Sequence, residues 1–215
     1  FEEVVELTTE TLGPESPQTL ASLSGLAGLL SDRGQLIQAE AMLTSVIKTK
    51  TRVLGDEDHS TLHSIQVLTS LYYQQGAYDK AEPLLTKILS TQEKILGEDH
   101  PQTLQTLNRI GSLYGAQGDM DKAQPIFERI LKIRRETLGE RNPNTLASMN
   151  NLGFIYLQRG KFESARPLFE KALQEQTRIY GKRHPTKTLS TMSNLAMLHR
   201  AQGNYEEAEA LALVS

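Results

Sequence analysis

A recurrence with a period of 42 residues constrains this chain more than any other feature. One glycine of the recurring unit falls at positions 13, 55, 97, 139 and 181. A second glycine falls at positions 34, 76, 118, 160 and 203. A fixed period of this size indicates a repeat array, in which one supersecondary unit is copied and stacked on its neighbours. Such an array grows by adding units, so its 215 residues need not share a single central core.

Each copy carries two helical apolar patterns, one between the two glycines and one after the second glycine. In the second copy, the first pattern consists of Ile65, Leu68, Thr69 and Tyr72. Their spacing of i, i+3, i+4 and i+7 places them on one face of an α-helix. The second pattern opens with an aromatic or aliphatic residue and continues with an alanine, so each copy is predicted to be a pair of helices.

Helix starts are also marked in the sequence. Proline is favoured at the first helical position, and Ser or Asn just before it is a good N-cap. Proline follows a candidate cap residue in four dipeptides, which are Ser16-Pro17, His100-Pro101, Asn142-Pro143 and His184-Pro185. The second copy has no such proline, so we expect Asp58 or Ser60 to set the start of its first helix. The fifth copy has one extra residue, which is expected to change the loop near Thr186 and Lys187.

These patterns divide the chain into one continuous array over residues 1–215. The first residues resemble the second helix of a truncated repeat, which suggests a fragment of a longer array. The predicted boundaries are 1–13 for that truncated repeat, 14–55, 56–97, 98–139 and 140–181 for full repeats, and 182–215 for a final, partly truncated repeat.

The repeat resembles the tetratricopeptide repeat (TPR). The match is the order of a bulky residue, Leu, a small residue and Tyr, followed by Gly, an aromatic, Ala, Phe and Ala. The 42-residue period and wording such as LGERNPNTL and NNLGFIY resemble the kinesin-light-chain subtype, which also occurs in nephrocystin-like proteins. This resemblance implies an all-α fold, a right-handed superhelical solenoid of antiparallel helix pairs. It also implies that the first helices line a concave groove and the second helices the convex side.

The resemblance places the candidate partner-binding residues on the concave side, in the slots between the packing positions. They are His63, Gln66, Tyr73, Gln105, Asn108, Asn150, Phe154, Leu157, Met197 and Arg200.

This predicted groove is mostly uncharged. Asn and Gln amides both donate and accept hydrogen bonds, which suits the backbone of an extended peptide. Phe154, Leu157 and Met197 are expected to form an apolar pocket for the anchors of a docked peptide or helix. One alternative stays open, in which Asn108 and Asn150 only solvate the surface or bond neighbouring helices.

The leading functional hypothesis is a protein-interaction scaffold that holds a peptide or helical segment of a partner protein. A second hypothesis is a regulatory or sensor segment of a larger multidomain protein, which contacts other domains of its own chain or self-associates. A third is a cargo-adaptor-like module of a motor. Kinesin light chains bind acidic peptides through a basic groove, and only Arg200 matches that character here. Weak head-to-tail self-association is a further alternative, because residues 1–15 are acidic and residues 178–200 are basic.

Composition and motifs favour none of the other common classes. A net charge of −3 gives no reason to expect nucleic acid or a membrane surface as partner, and no apolar run approaches a membrane span. The chain has no cysteine and no nucleophile, phosphate-loop or metal motif, so we expect no cofactor, no metal and no enzymatic activity. His59 and His63 lie four residues apart and could face each other as metal ligands, but the sequence shows no third ligand beside them. A cytoplasmic location is the default expectation.

Overall fold

The fold is described by a computed structural model, which covers residues 2–181, 184 and 187–212. Every regular element in these residues is an α-helix, which confirms the predicted all-α class. The helices are α1 Glu2–Leu12, α2 Pro17–Asp32, α3 Leu36–Leu54, α4 His59–Gln74, α5 Tyr78–Leu96, α6 Pro101–Ala116, α7 Met120–Leu138, α8 Pro143–Gln158, α9 Phe162–Tyr180, α10 Thr188–Ala201 and α11 Tyr205–Ala212.

The chain divides into two compact units, residues 1–96 and residues 97–215, called unit 1 and unit 2 below. Unit 1 contains α1 to α5, and unit 2 contains α6 to α11. Within each unit, most helices pack against the helices before and after them in the chain. A second type of contact joins the first helices of successive repeats, such as α2 with α4 and α8 with α10. The boundaries proposed for a single array stay a prediction.

The helix starts follow the sequence signals. Ser16 and Asn142 accept hydrogen bonds from backbone N–H groups of the first turn, and His100 does so through Nδ1. Asp58 caps the helix that lacks a proline, because its carboxylate accepts from the N–H groups of Ser60 and Thr61. Pro185, named with the fifth helix start, lies outside the described residues.

In three repeats a side-chain bond joins the first glycine to the threonine that follows it, whereas Thr145 of the fourth repeat donates to the Arg134 carbonyl instead. The Thr103 hydroxyl donates to the Gly97 carbonyl at 2.8 Å, and Thr19 donates to Gly13 in the same way. Gly97 has a φ of 93°, which residues with a side chain rarely adopt. In the fifth repeat, Thr188 makes the equivalent bond to Gly181 across one more residue, so the insertion leaves this bond intact. Thr186, where a changed loop was expected, lies outside the described residues.

In the first, third and fourth repeats, the core of the helix pair combines a small residue with a large one. A Cβ added to Gly153 would lie 2.7 Å from a ring carbon of Phe169, and one added to Gly111 would lie 2.9 Å from Phe127. Where the small position is Ala27, the large position is Leu43, and both side chains are fully buried. The volumes at the two positions therefore compensate from one repeat to another, which keeps the core close-packed.

Candidate partner-binding surface

The candidate residues of unit 1 lie on one face of α4. His63 and Tyr73 are exposed, and Gln66 between them is half-buried. The spacing of these residues along α4 keeps them on the same side of the helix. The Tyr73 ring lies edge-on to the ring of Tyr78 on α5, with 5.5 Å between centroids. This unit therefore presents a polar face that ends in an aromatic pair.

The candidate residues of unit 2 lie on its three first helices. Gln105 on α6 and Arg200 on α10 are exposed, while Asn108 and Asn150 are half-buried. Side-chain bonds join neighbouring helices at these two asparagines. Asn151 Nδ2 donates to Asn108 Oδ1 at 3.1 Å, and Asn194 Nδ2 donates to Asn150 Oδ1 at 3.1 Å.

These two pairs, which we call amide rungs, show the helix-to-helix role left open by the sequence. They do not exhaust the amides, because each side chain has two donor hydrogens and two acceptor lone pairs. In each rung, the acceptor asparagine (Asn108 or Asn150) has N–H donors that the rung bond does not use. The donor asparagine (Asn151 or Asn194) has acceptor lone pairs that the rung bond does not use. Asn151 and Asn194 were missed as functional candidates. Their signal was present in the sequence, since they recur 43 residues apart, in step with the fifth repeat's extra residue.

The expected pocket of three apolar residues requires a correction. Leu157 is only 8% exposed and belongs to a core cluster with Phe169 and Leu198. This position of α8 is turned toward α9 and α10, which enclose it, so Leu157 is not an open anchor site. Phe154 is half-buried and packs on the same cluster, whereas Met197 is 44% exposed. The apolar surface offered to a partner is therefore smaller than expected.

The first helices are electrostatically unusual. Helices α4, α6, α8 and α10 contain no aspartate or glutamate, although the chain has 26 acidic residues. The arginines on these four helices are Arg109, which is half-buried and has an interaction partner, and Arg200, which is exposed. A partner on this face would therefore meet amides, hydroxyls and apolar groups, with little charge.

The exposed acidic residues of the loop between α3 and α4 form ion pairs. Asp56 pairs with Lys87 at 2.9 Å, and Glu57 pairs with Lys94 at 3.0 Å. The Lys87 ammonium beside Asp56 lowers the pKa of that carboxyl. These pairs are exposed to solvent, which weakens the attraction within each pair. Asp56 and Glu57 thus tie the loop before α4 to α5.

The described part of the chain contains neither a cluster of metal ligands nor a membrane-spanning helix. No group of three or more His, Cys, Asp or Glu side chains is placed to hold a metal ion there. None of the helices in residues 2–181 and 187–212 combines the length and apolar character needed to cross a membrane.

The two ends of the described chain do not simply carry opposite charges. Helix α1 carries the exposed Glu2 and Glu3, and α11, which follows the basic stretch 178–200, also carries exposed acids, Glu206 and Glu207. Lys182 and Arg183 lie outside the described residues.

A family model for the tetratricopeptide repeat matches residues 26–94, 60–136, 102–174 and 144–213. The chain belongs to the tetratricopeptide repeat family. The TPR fold is shared by a solved protein of Podosopora anserina, described as a kinesin light chain with nearly identical TPR-like repeats. That protein is 28% identical, with a TM-score of 0.79 over 93% of this chain and 94% of its own.

Two more distant TPR structures share the fold alone. BtubC (BKLC) from P. vanneervenii is 21% identical, with a TM-score of 0.79 over 98% of this chain and 84% of its own. NprR, solved in complex with its cognate peptide NprX, is 18% identical, with a TM-score of 0.62 over 98% of this chain and 58% of its own. No curated protein sequence matches the chain. Membership of the TPR family supports a general role as a protein–protein interaction scaffold.

Proposed function

We propose that this TPR chain binds an extended segment of a partner protein on the first-helix face of unit 2, formed by α6, α8 and α10. The observation that carries the proposal is the pair of amide rungs, Asn108 with Asn151 and Asn150 with Asn194. Half-buried amides with spare donors and acceptors recur here at the interval of one repeat. A surface that needed only solubility would be expected to carry charge instead.

The amide rungs match the chemistry of a peptide backbone. An extended segment presents one C=O acceptor and one N–H donor per peptide unit. The spare Nδ2 hydrogens of Asn108 complement a C=O, and the spare Oδ1 lone pair of Asn151 complements an N–H. Met197 and the exposed part of Phe154 provide an apolar contact for a partner side chain, which would supply selectivity.

The weak charge of this surface makes a prediction about salt. Arg200 is the exposed ion on the three helices, so association should depend little on ionic strength. A partner bound through a basic groove, as for a kinesin-light-chain-like cargo adaptor, would instead dissociate as salt is raised. The face of α4, with His63, Gln66 and Tyr73, is proposed as a second contact surface in unit 1.

Site-specific photo-crosslinking tests the proposal. A photoreactive amino acid replaces Gln105 or Met197 on the proposed face, or Ile179 on α9 as a matched control. Met197 and Ile179 are similarly exposed, at 44% and 42%. The proposal requires a partner that crosslinks from Gln105 and Met197 and not from Ile179, and whose affinity falls in an Asn108→Ala, Asn150→Ala variant.

Other crosslinking patterns separate the alternatives. Crosslinks to a second copy of the chain would identify self-association. Crosslinks within one polypeptide, in a longer natural protein, would identify a regulatory segment. Equal crosslinking from Ile179 and Met197, with affinity unchanged in the asparagine variant, would refute the proposed surface.

A further inference from the structure

Lys50 of α3 is buried, and no carboxylate of the described residues forms an ion pair with it. It is only 1% exposed, and its Nζ donates to the hydroxyl oxygens of Ser60 and Ser64 at 2.8 Å each. It also reaches the Ser24 hydroxyl and the Ser60 carbonyl, both at 3.2 Å. All four acceptors are neutral. One amine thus ties together α2, which carries Ser24, and α4, which carries Ser60 and Ser64.

The same position is polar in every repeat in which it occurs. The equivalents of Lys50 at intervals of 42 residues are Thr8, whose hydroxyl bonds within its own helix, and Gln92, Arg134 and Gln176. Gln176 accepts from the Thr191 hydroxyl at 2.7 Å, and Arg134 donates to the Ser148 hydroxyl at 2.8 Å. At Lys50, Arg134 and Gln176, this position therefore joins a second helix to a hydroxyl on the next first helix. Glutamine does this without charge and arginine stays charged, whereas a lysine can lose its proton.

The surroundings of Lys50 disfavour its charged form. Burial lowers the pKa of Lys50, and the field of Asp58, the N-cap of α4, partly opposes this effect. Helix α2 brings no charge to Nζ, because its one acidic residue, Asp32, lies at the far end from Ser24. The other titratable groups of the first two turns of α4, His59 and His63, are exposed. An ammonium held only by neutral oxygens carries a desolvation cost that a neutral amine does not.

We propose that Lys50 is a protonation switch in unit 1, whose neutral form holds α2, α3 and α4 together more tightly than its charged form. A neutral amine keeps two N–H donors and gains a lone pair, so a serine hydroxyl can donate to it in return. The Ser24 and Ser64 hydroxyls, 2.9 Å apart, provide such an exchangeable pair.

The sign of the effect follows from linkage. Because the pKa is lower in the folded state, the unfolded chain binds more protons between the folded pKa and the ordinary lysine value of 10.5. Stability therefore rises with pH across that window, and the penalty is fully present below the folded pKa. Each unit of depression corresponds to a tenfold change in the folding equilibrium constant.

Two measurements on the full chain test the switch. The first is an NMR titration of 15N-labelled lysine Nζ groups, with the exposed Lys48 as internal control. The second is urea unfolding from pH 7 to pH 10.5 for the wild type, Lys50→Gln and Lys48→Gln. Lys50→Gln imitates the neutral partner found at Gln176.

The expected result is a Lys50 midpoint below that of Lys48. The stability of Lys50→Gln relative to the wild type should also fall as pH rises, while Lys48→Gln follows the wild type. A Lys50 midpoint equal to or above that of Lys48 would overturn the proposal. Parallel stability curves for the wild type and Lys50→Gln would overturn it as well, because a purely structural role does not depend on pH.

Discussion

Replacing Gly153 by alanine tests the packing rule of the helix pairs. The new Cβ would lie 2.7 Å from one ring carbon of Phe169 and 3.0 Å from two others. Carbon atoms in favourable contact lie about 3.5–4.0 Å apart, so the ring would have to move by about 1 Å. Phe169 is fully buried in the core of the last two repeats, which leaves it little room to move.

Two opposing terms set the size of the effect. Overpacking of this kind costs about 1–3 kcal/mol. Alanine in a helix interior recovers about 1 kcal/mol relative to glycine. The net change expected for Gly153→Ala is therefore a loss of about 0–2 kcal/mol in the free energy of unfolding. Gly115→Ala is the matched control, because the nearest atom to its Cβ would be 3.9 Å away and only the gain should remain.

A double-mutant cycle makes the test sharper. Phe169→Leu recreates the leucine that accompanies alanine in the first repeat, where Ala27 and Leu43 share the core. Gly153→Ala should destabilise the wild type but stabilise the Phe169→Leu variant. The assay is urea unfolding followed by circular dichroism and fitted with a nearest-neighbour repeat model. If Gly153→Ala has the same sign in both backgrounds, the volume-compensation reasoning is refuted.

Two further predictions concern hydrogen bonds. Thr103→Val removes the bond to the Gly97 carbonyl and should lower the free energy of unfolding by about 1 kcal/mol. Thr61→Val should be neutral or stabilising in the same urea assay, because the buried Thr61 hydroxyl has no hydrogen-bond partner among the described residues; losses equal to those of Thr103→Val would contradict this. Burial, with a smaller effect from the bond to Glu128, raises the pKa of Tyr156 to about 12. Stability due to Tyr156 is therefore present below about pH 10 and lost as pH rises toward 12, and Tyr156→Phe should remove this pH dependence. The raised pKa of Tyr156 would be contradicted if an ultraviolet titration showed Tyr156 ionising over the same pH range as the exposed tyrosines.

The candidate surface was only partly predictable from sequence. The family resemblance named Gln105 and Met197 as candidates, and both side chains are exposed. It was wrong for Leu157, because the packing of the neighbouring helices decides whether that side of α8 faces solvent or the core. It also did not reveal that Asn108 and Asn150 are joined to Asn151 and Asn194, since such bonds depend on the distance between helices.

Sequence alone determined the local architecture of this chain. Regular glycines, capping residues such as Asp58 and a 3.6-residue apolar pattern define helix pairs, because each acts within one or two turns of backbone. Tertiary structure decided which side chains meet. It placed the flexible, ionisable side chain of Lys50 in the interior and packed the Phe169 ring against the backbone of Gly153. These outcomes depend on the close approach of helices distant in sequence, where a shift of 1 Å separates a contact from a clash.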